Sequence, residues 1–129
     1  MTVAQPDILW IGAHRGNYGP GRGGLHPEGV VIHVAEGSLL GIDGWFNNPK
    51  SGVSTNFAVG KDGAIHQYVA VSNIAFGNGV VESGATAWLL TENPGVNPNR
   101  YTISVELEGH SGDMVHTAQW RALVHLCAW

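Results

Sequence analysis

Gly29-Val30-Val31-Ile32-His33-Val34-Ala35-Glu36-Gly37 is a run of β-branched apolar residues with one histidine inside it. Such a run reads as a strand buried on both faces, in the middle of a sheet covered by helices. An imidazole in that setting has to be hydrogen-bonded or bound to something, because leaving it bare costs a few kcal/mol. Gly37 breaks the strand and Ser38 can cap a following helix. His33 is therefore expected near the rim of a central strand, where open α/β sheets place ligands. A core histidine satisfied by a backbone carbonyl is the plain alternative, and one histidine makes no metal site.

Outward from this strand the chain alternates strands and helices. A helix is expected over Leu39–Phe46, with Leu39, Ile42, Trp45 and Phe46 at helical spacing and Trp45 and Phe46 packed in the core. It should stop before Asn47-Asn48-Pro49. Two strand-like runs, Thr55–Val59 and Ala64–Val69, flank Gly60-Lys61-Asp62-Gly63, and Asp-Gly between such runs signals a hairpin. His66 in the second run is expected on the strand surface. Tyr101–Glu108 alternates cleanly, with Ile103, Val105 and Leu107 on one side and Thr102, Ser104, Glu106 and Glu108 on the other. A final helix is expected with Trp120, Leu123, Val124 and Cys127 as its apolar stripe and Thr117 or Asp113 as its cap. His116 and His125 fall on its surface. Residues 1–28 form a loop-rich arm, in which Gly16–Gly24 is too rich in turn formers for a helix or strand interior. Residues 72–100 form a long loop, of the kind that often carries function, anchored by Trp88, Leu89 and Leu90. The order predicts one α/β domain over 1–129: a mixed central sheet flanked by helices.

Composition narrows the partners. The 129 residues suit a single core, with 43% apolar and 12% charged residues. A formal charge of −4 with six Lys plus Arg provides no basic stripe, which argues against nucleic acid and against a polybasic membrane anchor. No segment reaches the roughly 20 apolar residues of a span, so no membrane insertion is expected. The one cysteine, Cys127, rules out an intramolecular disulfide and is expected in the core. No signal peptide is evident, which leads to an expectation of cytoplasmic synthesis.

Two side chains stand out chemically. His33 lies in one strand and Glu106 on the polar face of another. An imidazole that holds a metal and a carboxylate that activates water are a minimal hydrolytic kit.

Four segments, Gly29–Gly37, Val53–Val69, Ala75–Gly79 and Asn99–Gly109, together resemble the type 2 N-acetylmuramoyl-L-alanine amidases, a superfamily that includes peptidoglycan-recognition proteins and phage endolysins. The resemblance implies zinc as cofactor, peptidoglycan as substrate and hydrolysis of the bond between the muramic acid lactyl group and L-alanine. It implies that His33 is the first zinc ligand and Glu106 the catalytic glutamate of the bacterial branch. Thr55 stands where the recognition proteins commonly have tyrosine, which places the chain on the bacterial side. Where the family often has Ala-Trp-His-Ala-Gly, this chain has Ala75-Phe76-Gly77-Asn78-Gly79. Asn78, Arg22 and the 72–100 loop are the candidates for contacting glycan or peptide. In the family the later zinc ligands follow the C-terminal helix, so the resemblance implies that they lie past Trp129 and that His116, His125 and Cys127 do not fill those roles. The expected activity is that of a phage lysin acting on the cell wall or of a wall-recycling enzyme. The alternative is a non-catalytic peptidoglycan-binding module with an incomplete zinc site.

Overall fold

The apolar runs form strands, but their order in space differs from their order along the chain. The structure, a computed structural model, describes residues 2–129. In chain order the elements are β1 (Leu9–Trp10), β2 (Tyr18–Gly19), β3 (Gly29–Val34), α1 (Leu39–Asn47), β4 (Phe57–Val59), β5 (Ile65–Gln67), β6 (Ile74–Ala75), α2 (Trp88–Glu92), β7 (Thr102–Leu107) and α3 (Thr117–Ala128). A five-stranded sheet runs β1-β5-β4-β7-β3, and β2 pairs with β6 in a separate ribbon. The β4–β5 hairpin is antiparallel, whereas β3–β7, β4–β7 and β1–β5 are parallel. This is the mixed sheet with flanking helices that the sequence implies. The hairpin turns at Asp62-Gly63, where Gly63 takes φ of 90° and the Asp62 carboxylate accepts from the Ala64 N–H at 2.9 Å.

Each face of the sheet carries one helix. On one face Ile42 and Phe46 of α1 pack with Ala58, Tyr68, Val69 and Ala75. On the other, Leu123 and Leu126 of α3 pack with Phe57, Val59, Ile65, Val105 and Leu107. The alternation of β7 decides this: its odd residues face α3 and its even residues face α1. Helix α1 starts as expected, with Ser38 Oγ accepting from the Gly41 N–H at 3.1 Å. Glu108 Oε1 accepts from the Leu39 N–H at 3.1 Å, so a second open donor of the helix start is also satisfied.

Several expectations are corrected. Strand β3 is an edge strand, not a central one, and Val30, Ile32 and Val34 are 44–49% exposed. The buried core that α3 packs on is built from β4, β5 and β7. Helix α3 is rotated from the expected stripe. It buries Gln119, Leu123 and Leu126, while Trp120 and Val124 stay exposed. The reason is Gln119, whose Nε2 donates to the Val59 and Glu108 carbonyls at 3.0 and 2.9 Å and so turns a polar residue inward. Cys127 is consequently exposed, not in the core. The α3 cap is His116 without a side-chain bond, and Asp113 instead accepts from the His110 N–H at 3.0 Å. His66 is buried, with Nδ1 2.9 Å from Asp43 Oδ1. Trp45 and Trp88 are exposed, at 53% and 63%. The arm, over its described residues 2–28, supplies β1, β2 and a 3-10 turn at Arg15–Asn17.

Candidate active site

The parallel pairing of β3 with β7 sets His33 directly beside Glu106. Both side chains lie on the α1 face, where they line one cleft with Gly41, Ile42, Trp45 and Phe46 of α1. Ala58 of β4 is the other neighbour of Glu106, and a methyl group there leaves the carboxylate room. The two groups line a cleft of about 580 Å³, whose walls include Glu36, Ile42, Trp45, Phe46, Val53, Phe76 and Gly77. That volume suits a small organic ligand or one unit of a polymer.

Electrostatics distinguish the two groups. Burial pushes the Glu106 carboxyl above the usual carboxylate range, and the nearby His33 pulls it part of the way back. A carboxylate in that condition is a stronger base than an exposed one, and so better suited to taking a proton from water. Glu36, at the mouth of the cleft, has the opposite shift. Its carboxylate accepts from the Ser111 hydroxyl and from the Ser111 N–H, the latter at 2.9 Å, and these bonds lower its pKa. It remains a fixed negative charge, held with the left-handed backbone φ of 54°.

His33 is held from behind. Its Nε2 lies 2.6 Å from Asn78 Oδ1, and Asn78 Nδ2 donates to Thr102 Oγ1 at 2.8 Å. Asn78 is buried and both ends of its amide are occupied within the protein. Arg22 sits elsewhere. Its Nε donates to the Val71 carbonyl at 2.6 Å, and Nη1 to those of Asn99, Arg100 and Thr102 at 3.0, 3.2 and 3.1 Å. It is 6% exposed and does not line the cleft.

Sequence reasoning missed three cleft residues. Trp45 was assigned to the core, but Ile42 and Phe46 form the inward face of α1 and Trp45 falls on its rim. Phe76 and Glu36 carry no periodic signal, because each sits outside a strand or helix. Gly77 does carry one in hindsight. A Cβ there would stand 2.6 Å from Ser104 Oγ and 2.9 Å from the Ser54 carbonyl. Gly77→Ala should therefore cost on the order of 1–3 kcal/mol by overpacking, measured as a lowered urea midpoint with an unchanged slope.

The donor set does not make a zinc site by itself. A catalytic zinc takes three protein ligands and an open position. Among the described residues no three His, Cys, Asp or Glu side chains come together to hold a metal. His33 offers one nitrogen, and the neighbouring carboxylate is the group suited to proton transfer. Among the described residues, too, no helix is long and apolar enough to cross a membrane.

The chain as a whole is similar to known proteins. N-acetylmuramoyl-L-alanine amidase A of Achromobacter lyticus is 30% identical over 108 residues, 83% of this chain and 50% of that protein. The chain thus spans half the length of this relative. Among solved structures, the Se-Met derivative of AmpD superposes with a TM-score of 0.68 at 20% identity, over 95% of this chain and 73% of that one. The endolysin N-acetylmuramoyl-L-alanine amidase LysCS from Clostridium intestinale URNW gives 0.63 at 13%, over 97% and 73%. Drosophila peptidoglycan recognition protein SA gives 0.55 at 13%, over 96% and 71%. At these identities the superpositions establish a shared fold. Residues 23–129 match the family described as N-acetylmuramoyl-L-alanine amidase, and the chain belongs to that family.

Proposed function

We propose that the whole protein hydrolyses the amide between the muramic acid lactyl group and L-alanine in peptidoglycan. The observation that carries this is the side-by-side placement of His33 and Glu106 in one cleft of a chain of the amidase family. Glu106 takes a proton from water as the water oxygen bonds to the scissile carbonyl carbon. It then delivers that proton to the L-alanine nitrogen as the carbon–nitrogen bond breaks. The exposed face of Trp45, on the cleft wall, gives a flat apolar surface for a sugar ring or a stem-peptide side chain. Zinc is the proposed cofactor of the whole protein, with His33 as the ligand that residues 2–129 contribute; the other ligands would have to come from outside them. Arg22 has no substrate role in this reading, and Asn78 acts on His33 and not on substrate. The reading covers wall lysis and wall recycling alike.

A second reading, a peptidoglycan-binding module without turnover, is favoured by the single imidazole of the donor set. One assay separates the two. Incubated with purified peptidoglycan, an amidase releases new alanine amino groups and no new reducing ends. Retention on the polymer without new amines would establish the binding module, and new reducing ends would overturn both.

A further inference from the structure

The Gly77-Asn78-Gly79 turn is built to deliver one side chain. A Cβ at Gly77 would meet Ser104 and Ser54, as above, and a Cβ at Gly79 would stand 2.6 Å from Asn99 Nδ2. Both flanking positions are closed to side chains, so Asn78 is the position from which this turn can place a polar group beside His33. The turn is fixed by its backbone as well: the Asn78 N–H donates to Asn99 Oδ1 at 2.6 Å. Asn99 in turn belongs to the 3-10 turn Pro98–Arg100, whose cap Asn97 accepts from the Asn99 N–H at 3.0 Å.

The direction of the Asn78 amide follows from its neighbours. Thr102 Oγ1 donates its proton to the Pro98 carbonyl at 2.6 Å, so towards Asn78 that oxygen can only accept. Asn78 must present its NH2 to Thr102 and its carbonyl oxygen to His33. An oxygen acceptor 2.6 Å from Nε2 requires a proton on Nε2. In a neutral imidazole the lone pair is then on Nδ1.

We propose that Asn78 is a positioning residue that holds His33 as the Nε2–H tautomer through the chain Asn78–Thr102–Pro98, leaving Nδ1 as its one basic nitrogen. Any electrophile that His33 engages, a metal ion or a proton, meets Nδ1. A carbonyl oxygen on the far nitrogen of a functional histidine fixes the orientation and the tautomer of the ring. The residue acts through His33, so the inference rests on the functional reading of His33 given above.

Long-range proton–nitrogen correlation spectra of the chain, labelled with 15N-histidine, test this without any turnover. At a pH where the ring is neutral, His33 should show the Nε2–H pattern in the wild-type protein and in Asn78→Asp, which keeps an acceptor facing the ring. Asn78→Leu, of similar size with no acceptor, should shift His33 to a mixture of tautomers. The wild-type spectrum decides even if a variant fails to fold: an Nδ1–H pattern overturns the proposal. An unchanged single tautomer in folded Asn78→Leu overturns it as well. In the whole protein, Asn78→Leu should lower kcat by about 10-fold or more with a smaller change in KM, and Asn78→Asp should recover most of it. Unaltered kcat in Asn78→Leu would remove the functional role. Absence of amidase turnover in the wild-type whole protein, with the Nε2–H pattern intact, would instead count against the proposed function alone.

Discussion

Glu106→Gln in the whole protein should lower turnover of peptidoglycan by about 100-fold or more while the fold is retained. Positioned general acid–base groups contribute roughly 10²–10⁴-fold. Glutamine keeps the size of the side chain and removes the proton-accepting oxygen. Glu106 is half-buried between Ala58 and His33, and burial holds its pKa up. The pH profile of the wild-type rate should reflect this shift. The rate rises as the carboxyl ionises, so the acid limb should fall above the usual carboxylate range and should be lost in Glu106→Gln. The fold should tolerate the change, because a carboxyl whose pKa burial has raised is favoured in its neutral form and the amide is neutral at every pH. Steady-state kinetics against pH, with a thermal melt of each variant, check both halves. A variant that melts like the wild type and turns over normally would remove Glu106 as the base.

Arg22→Met should lower the stability of the chain by on the order of 3 kcal/mol, and by roughly 10 °C in the midpoint of a thermal melt. The guanidinium satisfies the Val71, Asn99, Arg100 and Thr102 carbonyls at once and is 6% exposed. Hydrogen bonds from a charged donor are worth about 1.5–3 kcal/mol each before their coupling is counted, and burying the charge offsets part of the sum. Methionine fills similar volume but leaves those carbonyls without the donor. Lysine keeps the charge but cannot fork among four acceptors, so Arg22→Lys should recover less than half of the loss. The residue joins the 71–73 loop to the turn that anchors Asn78, so its removal loosens the back of the cleft. A melt unchanged in Arg22→Met, with KM for peptidoglycan raised, would restore the substrate contact suggested by sequence.

The partition between what the sequence disclosed and what it hid has physical causes. The alternation of β7 was legible because both of its faces pack, with Ile103, Val105 and Leu107 toward α3 and Ser104 and Glu106 toward α1. The hairpin was legible because Asp62-Gly63 favours one backbone geometry. The edge position of β3 was not, because a β-branched run has the same composition in a covered central strand and in a half-exposed edge strand. The α3 stripe was misplaced because hydrophobic periodicity counts apolar residues, and the helix is anchored by an inward glutamine. At the site, His33 and Glu106 could be named from residue type and resemblance, but their adjacency required the parallel pairing of strands some 70 positions apart. The bond from Asn78 to His33 spans 45 positions and leaves no local mark, so Asn78 read as a substrate contact. Arg22 read the same way, because an arginine among glycines gives no sign that four carbonyls converge on it.

The central claim is that His33 and Glu106 work as one unit. The most direct measurement is a double-mutant cycle in the whole protein: kcat/KM for amide cleavage in the wild type, His33→Ala, Glu106→Gln and the double variant. Groups that act together are strongly non-additive, so each single variant should lose most of the activity and the double variant should lose no more than the worse of the two. Losses that multiply in the double variant would show two independent contributions and contradict the account.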